Sequence, residues 1–321
     1  MGSMKRGPYY RSVVAVLSSL ALAGVAHAQD AAKGASLLAD ARKALGGEDK
    51  LRAVKTLDLK GDFKRAAGQN TIEGGLEIRI ERPGKMRRDD DLSPPGGGPA
   101  IVRTEVLNGA DVWDENSGGG GFGGFGGFGG GGRGDRGGFG GRPRGGQAAG
   151  PPAGDPAAGG QRGGRAIDPA QIKELQRRTR LADLSRYNLM LLLDTDAPVA
   201  WVGIAESPDG KADVLEITPA DGGPLRLFLD QSSHVPLMVT WQGAAAPGGR
   251  RGRGGDQAAQ QAPTPPAQPP TLQLTFGDYK TVNGIKLPHH VTRGANGQTL
   301  EEWTIKSYKV NPSFKSDVFN K

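Results

Sequence analysis

From residue 56 onward the chain alternates apolar and polar side chains with a period of two. Leu57, Leu59 and Phe63 fall on one side of a strand, and Asp58, Lys60, Asp62 and Lys64 on the other. Ile72, Leu76, Ile78 and Ile80 alternate in the same way with Glu73, Glu77, Arg79 and Glu81. This pattern predicts strands with one buried face and one wet face. Shorter strands are predicted over residues 86–89, 101–107 and 111–114, with Asn108-Gly109 as a turn between the last two. Strands resume at 199–205, 212–218, 225–230 and 237–241. The stretch 272–319 reads as three more strands and an ordered tail. Asn283-Gly284 and Asn296-Gly297 separate those strands, and Asn-Gly tolerates the positive φ that both central residues of a type I′ turn require.

Two regions change period. Leu37, Leu38, Ala41, Ala44 and Leu45 recur at helical spacing, and Gly46-Gly47 stops the helix. Leu51 and Val54 suggest one further short turn. Later, Asp168 is suited to an N-cap, Pro169 to the first helical position and Gln171 to a capping box. Ile172, Leu175 and Thr179 line one face there, and a second segment is expected over 183–193. Its end, 189–193, is apolar nearly all round, so it should be buried or cover an apolar surface. The order helix, five strands, helices, seven strands predicts an α+β fold with a large antiparallel sheet.

Composition changes this picture at three places. Lys5, Arg6 and Arg11, the apolar run 13–25 and Ala26-His27-Ala28 have the form of a secretory signal peptide, residues 1–28. Met4 is a second candidate start. No later apolar run approaches the ~20 residues of a membrane-spanning helix. Residues 117–165 hold Gly-Phe-Gly-Gly repeats and six Arg against two Asp; residues 243–270 hold three Arg against one Asp. Both inserts are expected to be disordered, because neither has enough apolar surface to offset chain entropy. They interrupt one domain, residues 29–321. The formal net charge of +7 sits in the leader and these inserts, which leaves the presumed folded part slightly acidic. A basic nucleic-acid face is not supported, and the partners expected exclude nucleic acid. Zero cysteines exclude disulfides and a lipid-anchored cysteine. The expectation is a periplasmic protein, exported, released and monomeric, with peripheral membrane contact at most.

Signs of catalysis are wanting. His289 and His290 are adjacent on a strand and so point to opposite faces, which does not suit a shared metal. No Gly-x-Ser-x-Gly elbow occurs. Asp89-Asp90-Asp91 lacks the glycine and distal glutamate of an EF-hand loop and reads as a solvated strand end. The many Gly-x-Gly-x-x-Gly matches within 118–132 belong to a repeat tract with no flanking strand and helix. Arg133-Gly134-Asp135 arises readily in such a composition. The expectation is no enzyme, no metal and no cofactor.

Several stretches resemble a known family. Ala44-Leu45-Gly46-Gly47 with Leu51 and Val54, the strand 212–217 leading to 225–230 and Val235-Pro236-Leu237, and Gly277-Asp278-Tyr279-Lys280 with Asn283-Gly284-Ile285-Lys286-Leu287-Pro288, Val310-Asn311-Pro312 and Phe319 resemble LolA-like periplasmic carriers, the outer-membrane lipoprotein-sorting type. The two inserts depart from that pattern. The resemblance implies an unclosed antiparallel β-barrel with helices across its mouth as a lid and a concave apolar face that holds acyl chains. Lipid-binding candidates are then the inward apolar residues Leu57, Leu59, Phe63, Leu76, Ile78, Ile80, Leu227, Leu229, Trp241, Phe276, Trp303 and Ile305. Lid candidates are Leu37, Leu38, Ala41, Leu184, Tyr187 and Leu191. The family's polar lid-holding residue has Arg79 and Arg87 as candidates. The expected function is binding or carriage of a lipid or lipidated protein. The alternative is an envelope sensor or scaffold whose inserts engage a protein partner.

Overall fold

The computed structural model describes residues 31–68, 70–92, 101–117, 168–193, 197–219, 223–243 and 268–321. The leader lies outside the described residues, as do almost all of both inserts. Among the described residues no helix is long and apolar enough to cross a membrane.

Two helices open the chain, α1 (Ala31–Leu45) and α2 (Glu48–Arg52), followed by β1 (Thr56–Ala67), β2 (Asn70–Glu81), β3 (Lys85–Leu92), β4 (Ile101–Asn108) and β5 (Asp111–Ser117). A long helix, α3 (Pro169–Met190), precedes β6 (Val199–Ser207), β7 (Gly210–Ile217), β8 (Leu225–Asp230) and β9 (Pro236–Gln242). Then come β10 (Thr271–Val282), β11 (Ile285–Ala295) and β12 (Gln298–Val310). The expected order of five strands, a helical region and seven strands is therefore present. Both C-terminal Asn-Gly pairs turn as expected: Val282 pairs with Ile285 and Ala295 with Gln298, and both asparagines and both glycines have positive φ. The third turn is displaced by one residue. Asn108 pairs with Asp111, so Gly109-Ala110 makes the turn and Asn108 ends its strand.

All twelve strands form one antiparallel sheet in the order β5-β4-β3-β2-β1-β12-β11-β10-β9-β8-β7-β6. Every neighbour is also a sequence neighbour except the central pair, β1 with β12. A bulge there sets Lys60 opposite Ser307 and Gly61 opposite Ile305, so Lys306 is the extra residue. The bulge keeps Trp303 and Ile305 before it and Tyr308 and Val310 after it on the core side, while Lys306 reaches out to Asp62 at 2.6 Å.

The sheet does not close, since β5 and β6 are its two edges. Helix α3 is the link between those edges, so the chain must cross the gap there. Arg180 of α3 contacts Glu105 on β4, and Arg186 stacks on Trp241 of β9. These arginines are only about 9 Å apart along the helix axis. On a flat sheet β4 and β9 would be about 34 Å apart at seven strand spacings. The sheet must therefore curl around α3, which makes the helix-bearing face concave. Helix α1 covers the β6 side closely: a Cβ at Gly34 would come within 2.9 Å of the Trp201 amide nitrogen. The C-terminal tail lies on the other, convex face, where Phe319 is buried and its carbonyl accepts from Trp113 Nε1 at 3.4 Å.

Candidate functional site

The concave face carries one contiguous apolar cluster. All twelve lipid-binding candidates belong to it: Leu57, Leu59 and Phe63 from β1, Leu76, Ile78 and Ile80 from β2, Leu227 and Leu229 from β8, Trp241 from β9, Phe276 from β10, and Trp303 and Ile305 from β12. Each is buried, because the helices fill the trough. Leu38 and Ala41 of α1, Leu184 and Tyr187 of α3, and Leu191 just beyond it are buried in the same cluster, and Leu37 packs against it half-buried.

Helix α3 differs from the sequence expectation in being a single helix rather than two segments. The polar run Arg177–Arg178–Thr179–Arg180 resembles a break in the pattern, but Arg180 is buried against carboxylates on β4 and β5 and the helix continues through it. Asp168 caps its start by accepting from the Ala170 amide at 2.9 Å. After Met190 the chain turns back, with the Leu191 and Leu193 amides donating to the Asn188 carbonyl. The five residues 189–193 are all buried, so this end of α3 is an apolar plug.

The rim end of the trough is charged. Parity along β3 sends Met86, Arg88 and Asp90 inward and Arg87 and Asp89 outward. The run Asp89-Asp90-Asp91 is thus not simply a solvated strand end: Asp91 is exposed, but Asp90 is buried and accepts from Arg88 Nε at 2.7 Å and Arg65 Nη2 at 2.8 Å. Glu301 on β12 accepts from Arg88 at 2.6 Å, Arg65 at 3.1 Å and Trp303 Nε1 at 2.8 Å, with Arg293 at 3.5 Å. The Arg88 and Arg293 guanidinium groups lie 5.2 and 5.8 Å from the centroid of the Trp303 ring, and Tyr187 meets it edge-on at 5.7 Å. Above this layer Arg180 joins α3 to Glu105 at 2.6 Å and to Asp114 at 3.0 Å, and Lys173 joins it to Asp111 at 3.1 Å. The layer therefore touches both the sheet and the helix.

Arg79 and Arg87, the candidates for a lid-holding residue, lie on the convex face. Both pair with Asp89, and Arg87 also donates to the Val318 carbonyl of the tail. Neither reaches α3. The inward arginines near the helix are Arg65, Arg88 and Arg293, and period alone does not flag them. The signal in the sequence is parity: Arg88 and Asp90 share it with Met86, and Glu301 shares it with Trp303.

Burial by itself would raise the Asp90 and Glu301 carboxyl groups. The facing arginines outweigh it and hold both below the usual carboxylate range, Glu301 far below. Depressed carboxylates contribute stability that is fully present above their unfolded values and is lost as pH falls through the folded ones. Stability should therefore decline steadily once pH drops below ~4. Denaturant midpoints measured from neutral pH down to strongly acidic conditions check this; a flat profile would show that the layer is not coupled to folding.

The histidines do not converge. His289 points inward, with Nδ1 2.8 Å from the Ile305 carbonyl, while His290 faces outward near Glu302. Among the described residues no group of three or more His, Asp or Glu is placed to hold a metal ion.

No family model and no curated protein matches the chain. Among solved structures, a LolA superfamily protein from Nitrosomonas europaea aligns with 90% of this chain and 97% of its own, at 11% identity and a TM-score of 0.43. An outer-membrane lipoprotein-sorting protein domain from Vibrio parahaemolyticus aligns with 91% of this chain and 97% of its own, at 11% identity and a TM-score of 0.41. A DUF1329 family protein from Desulfovibrio piger covers 89% of this chain and 97% of its own, at 8% identity and a TM-score of 0.41. These likenesses assign no role, and the chemistry of the site lies in this chain's own side chains. The family that the residues resemble is thus also named among the similar structures, as a likeness.

Proposed function

We propose that the chain is an exported, non-enzymatic carrier that holds the apolar chain of a lipid or lipidated protein in its trough, with α3 as the lid. The observation that supports it best is the construction of α3. Its core end, from Leu184 to Leu193, meets the trough largely through apolar side chains, whereas its rim end is tied down by ion pairs. Such a plug exchanges for a ligand of like chemistry. An acyl chain of about sixteen carbons gains roughly 13 kcal/mol on full burial at ~0.8 kcal/mol per methylene. Withdrawing Leu184, Tyr187 and the five residues after Asn188 forgoes about 10–20 kcal/mol at ~1.5–3 kcal/mol each. The two are comparable, which suits reversible capture and release.

The test is native mass spectrometry, with organic extraction, of the protein purified from its own envelope without detergent. A stoichiometric lipid or acylated peptide is expected. An apo mass that stays apo after incubation with envelope lipids would mean that the plug never leaves. That result would favour the second reading, a scaffold or sensor that docks a protein partner. One observation supports this alternative: Val202 and Ile204 are exposed on β6, an edge strand of the sheet among the described residues.

A further inference from the structure

The floor of the trough is the middle of the sheet, where β12 is flanked by β1 and β11. Along β11 the residues of inward parity are Ile285, Leu287, His289, Val291 and Arg293. The three aliphatic ones belong to the apolar cluster, and Arg293 belongs to the charge layer at the rim. His289 stands midway in this row and is only 7% exposed. β11 and β12 pair from Ala295–Gln298 to His290–Thr304. One residue past that ladder, His289 Nδ1 lies 2.8 Å from the Ile305 carbonyl. A carbonyl can only accept, so Nδ1 carries the proton and Nε2 is left as a bare acceptor. The Tyr308 ring meets the imidazole edge-on at 5.3 Å and helps to fix its orientation.

Nε2 is buried and has no hydrogen-bond partner among the described residues. The nearby phenols do not supply one, because Tyr308 donates to the Pro288 carbonyl and Tyr279 to the Pro236 carbonyl. The other buried side-chain atoms in that condition lie elsewhere. Those of Arg180, Arg186 and Asn188 are on α3, that of Asp58 is on the convex face with Arg79, and that of His234 is in the turn between β8 and β9. The carrier reading moves α3, so its atoms leave with the lid, whereas His289 stays on the fixed floor. A buried acceptor without a donor is costly, and a donor brought by the cargo removes that cost.

We propose that His289 is a specificity-determining residue of the trough, whose Nε2 accepts a hydrogen bond from a hydroxyl in the middle of a bound acyl chain. This deepens the carrier reading and rests on it. The position of the hydroxyl follows from the strand. Ile285 and Arg293 are each four residues from His289, about 13 Å at ~3.3 Å per residue. An extended chain of ~1.5 Å carbon–carbon bonds covers that length with about ten carbons. A chain lying along β11 therefore meets Nε2 near its tenth carbon, whichever end of the trough holds its head. A hydroxyl suits the place better than an amide. The amide would bring a carbonyl that needs a donor, and both phenols are already committed.

Isothermal titration of the exported chain with hexadecanoate, 10-hydroxyhexadecanoate and 16-hydroxyhexadecanoate, each below its micelle concentration, tests this. The 10-hydroxy chain is expected to bind about tenfold more tightly than hexadecanoate, the worth of one buried hydrogen bond. The 16-hydroxy chain should show no such gain. The Nε2 nitrogen-15 resonance of His289 should shift on adding the 10-hydroxy chain and stay in place with hexadecanoate. The affinity ratio is then read within each of two variants, which separates recognition from any change in stability. His289→Asn keeps a donor for the Ile305 carbonyl but does not reach the Nε2 position. Its ratio should fall to one or below, since the hydroxyl is then buried unpaired. His289→Gln reaches that position with an acceptor and should retain most of the ratio. Equal binding of the three chains by the native protein would overturn the hydroxyl site and leave the carrier standing. A tenfold preference that survives in His289→Asn would do the same. Binding of none of the three would overturn the carrier and the site with it.

Discussion

Replacing Glu301 with glutamine is expected to destabilise the protein by about 3–5 kcal/mol, the cost of removing one partner from a buried ion cluster. The substitution keeps the shape and retains an oxygen to accept from Trp303 Nε1, so it isolates the charge. What remains is a buried set of arginines, with Asp90 still paired to Arg65 and Arg88 and with Arg293 deprived of its Glu301 contact. A denaturant titration reads the change as a lower midpoint at unaltered slope. A loss under about 1 kcal/mol would show that water enters the layer and screens it, as it does at exposed pairs.

If α3 is the lid that the proposed carrier function requires, Arg180→Ala should act on its closure more than on the fold. It removes the contacts to Glu105 and Asp114 that tie α3 to β4 and β5, while Glu105 keeps Arg103 at 2.6 Å. A loss of about 2 kcal/mol from the closed arrangement would raise the open population roughly thirtyfold. Uptake of a fluorescent apolar probe such as N-phenyl-1-naphthylamine should accelerate accordingly. If uptake is unchanged while the denaturant midpoint falls, Arg180 is a structural tie and α3 does not gate the trough.

The two residue classes in these variants differ in how far the sequence discloses them. The strands are legible because a sheet with one wet face imprints a period of two, and because Asn283-Gly284 and Asn296-Gly297 have few other uses. The apolar members of the trough follow from the same period. The charged layer does not, since Arg65, Arg88, Arg293 and Glu301 become partners only when β1, β3, β11 and β12 are set in register. Asp90 misleads for a related reason: three successive aspartates look like a solvated run, yet alternation must send the middle one inward. Helix α3 looks divided because Arg180 reads as surface until its two carboxylates arrive from β4 and β5.

The pairing of β1 with β12 at the centre of the sheet has a consequence for how the protein is made. Arg65 and Glu301 meet across 236 residues of chain, and the seam they belong to runs from Leu57–Val310 to Arg65–Glu301. Everything on either side of that seam is a meander of neighbouring strands, most of them joined by short loops that let them pair quickly, with β9 and β10 joined across residues 243–270 as the long exception. The seam itself cannot form until the last strand exists. A chain made from its N-terminus must therefore keep one edge of β1 unpaired through nearly the whole of synthesis. During that time β1 is an open strand edge with an apolar face, the kind of surface that recruits other chains. The slow and vulnerable step of folding is thus the joining of two finished half-sheets along their middle.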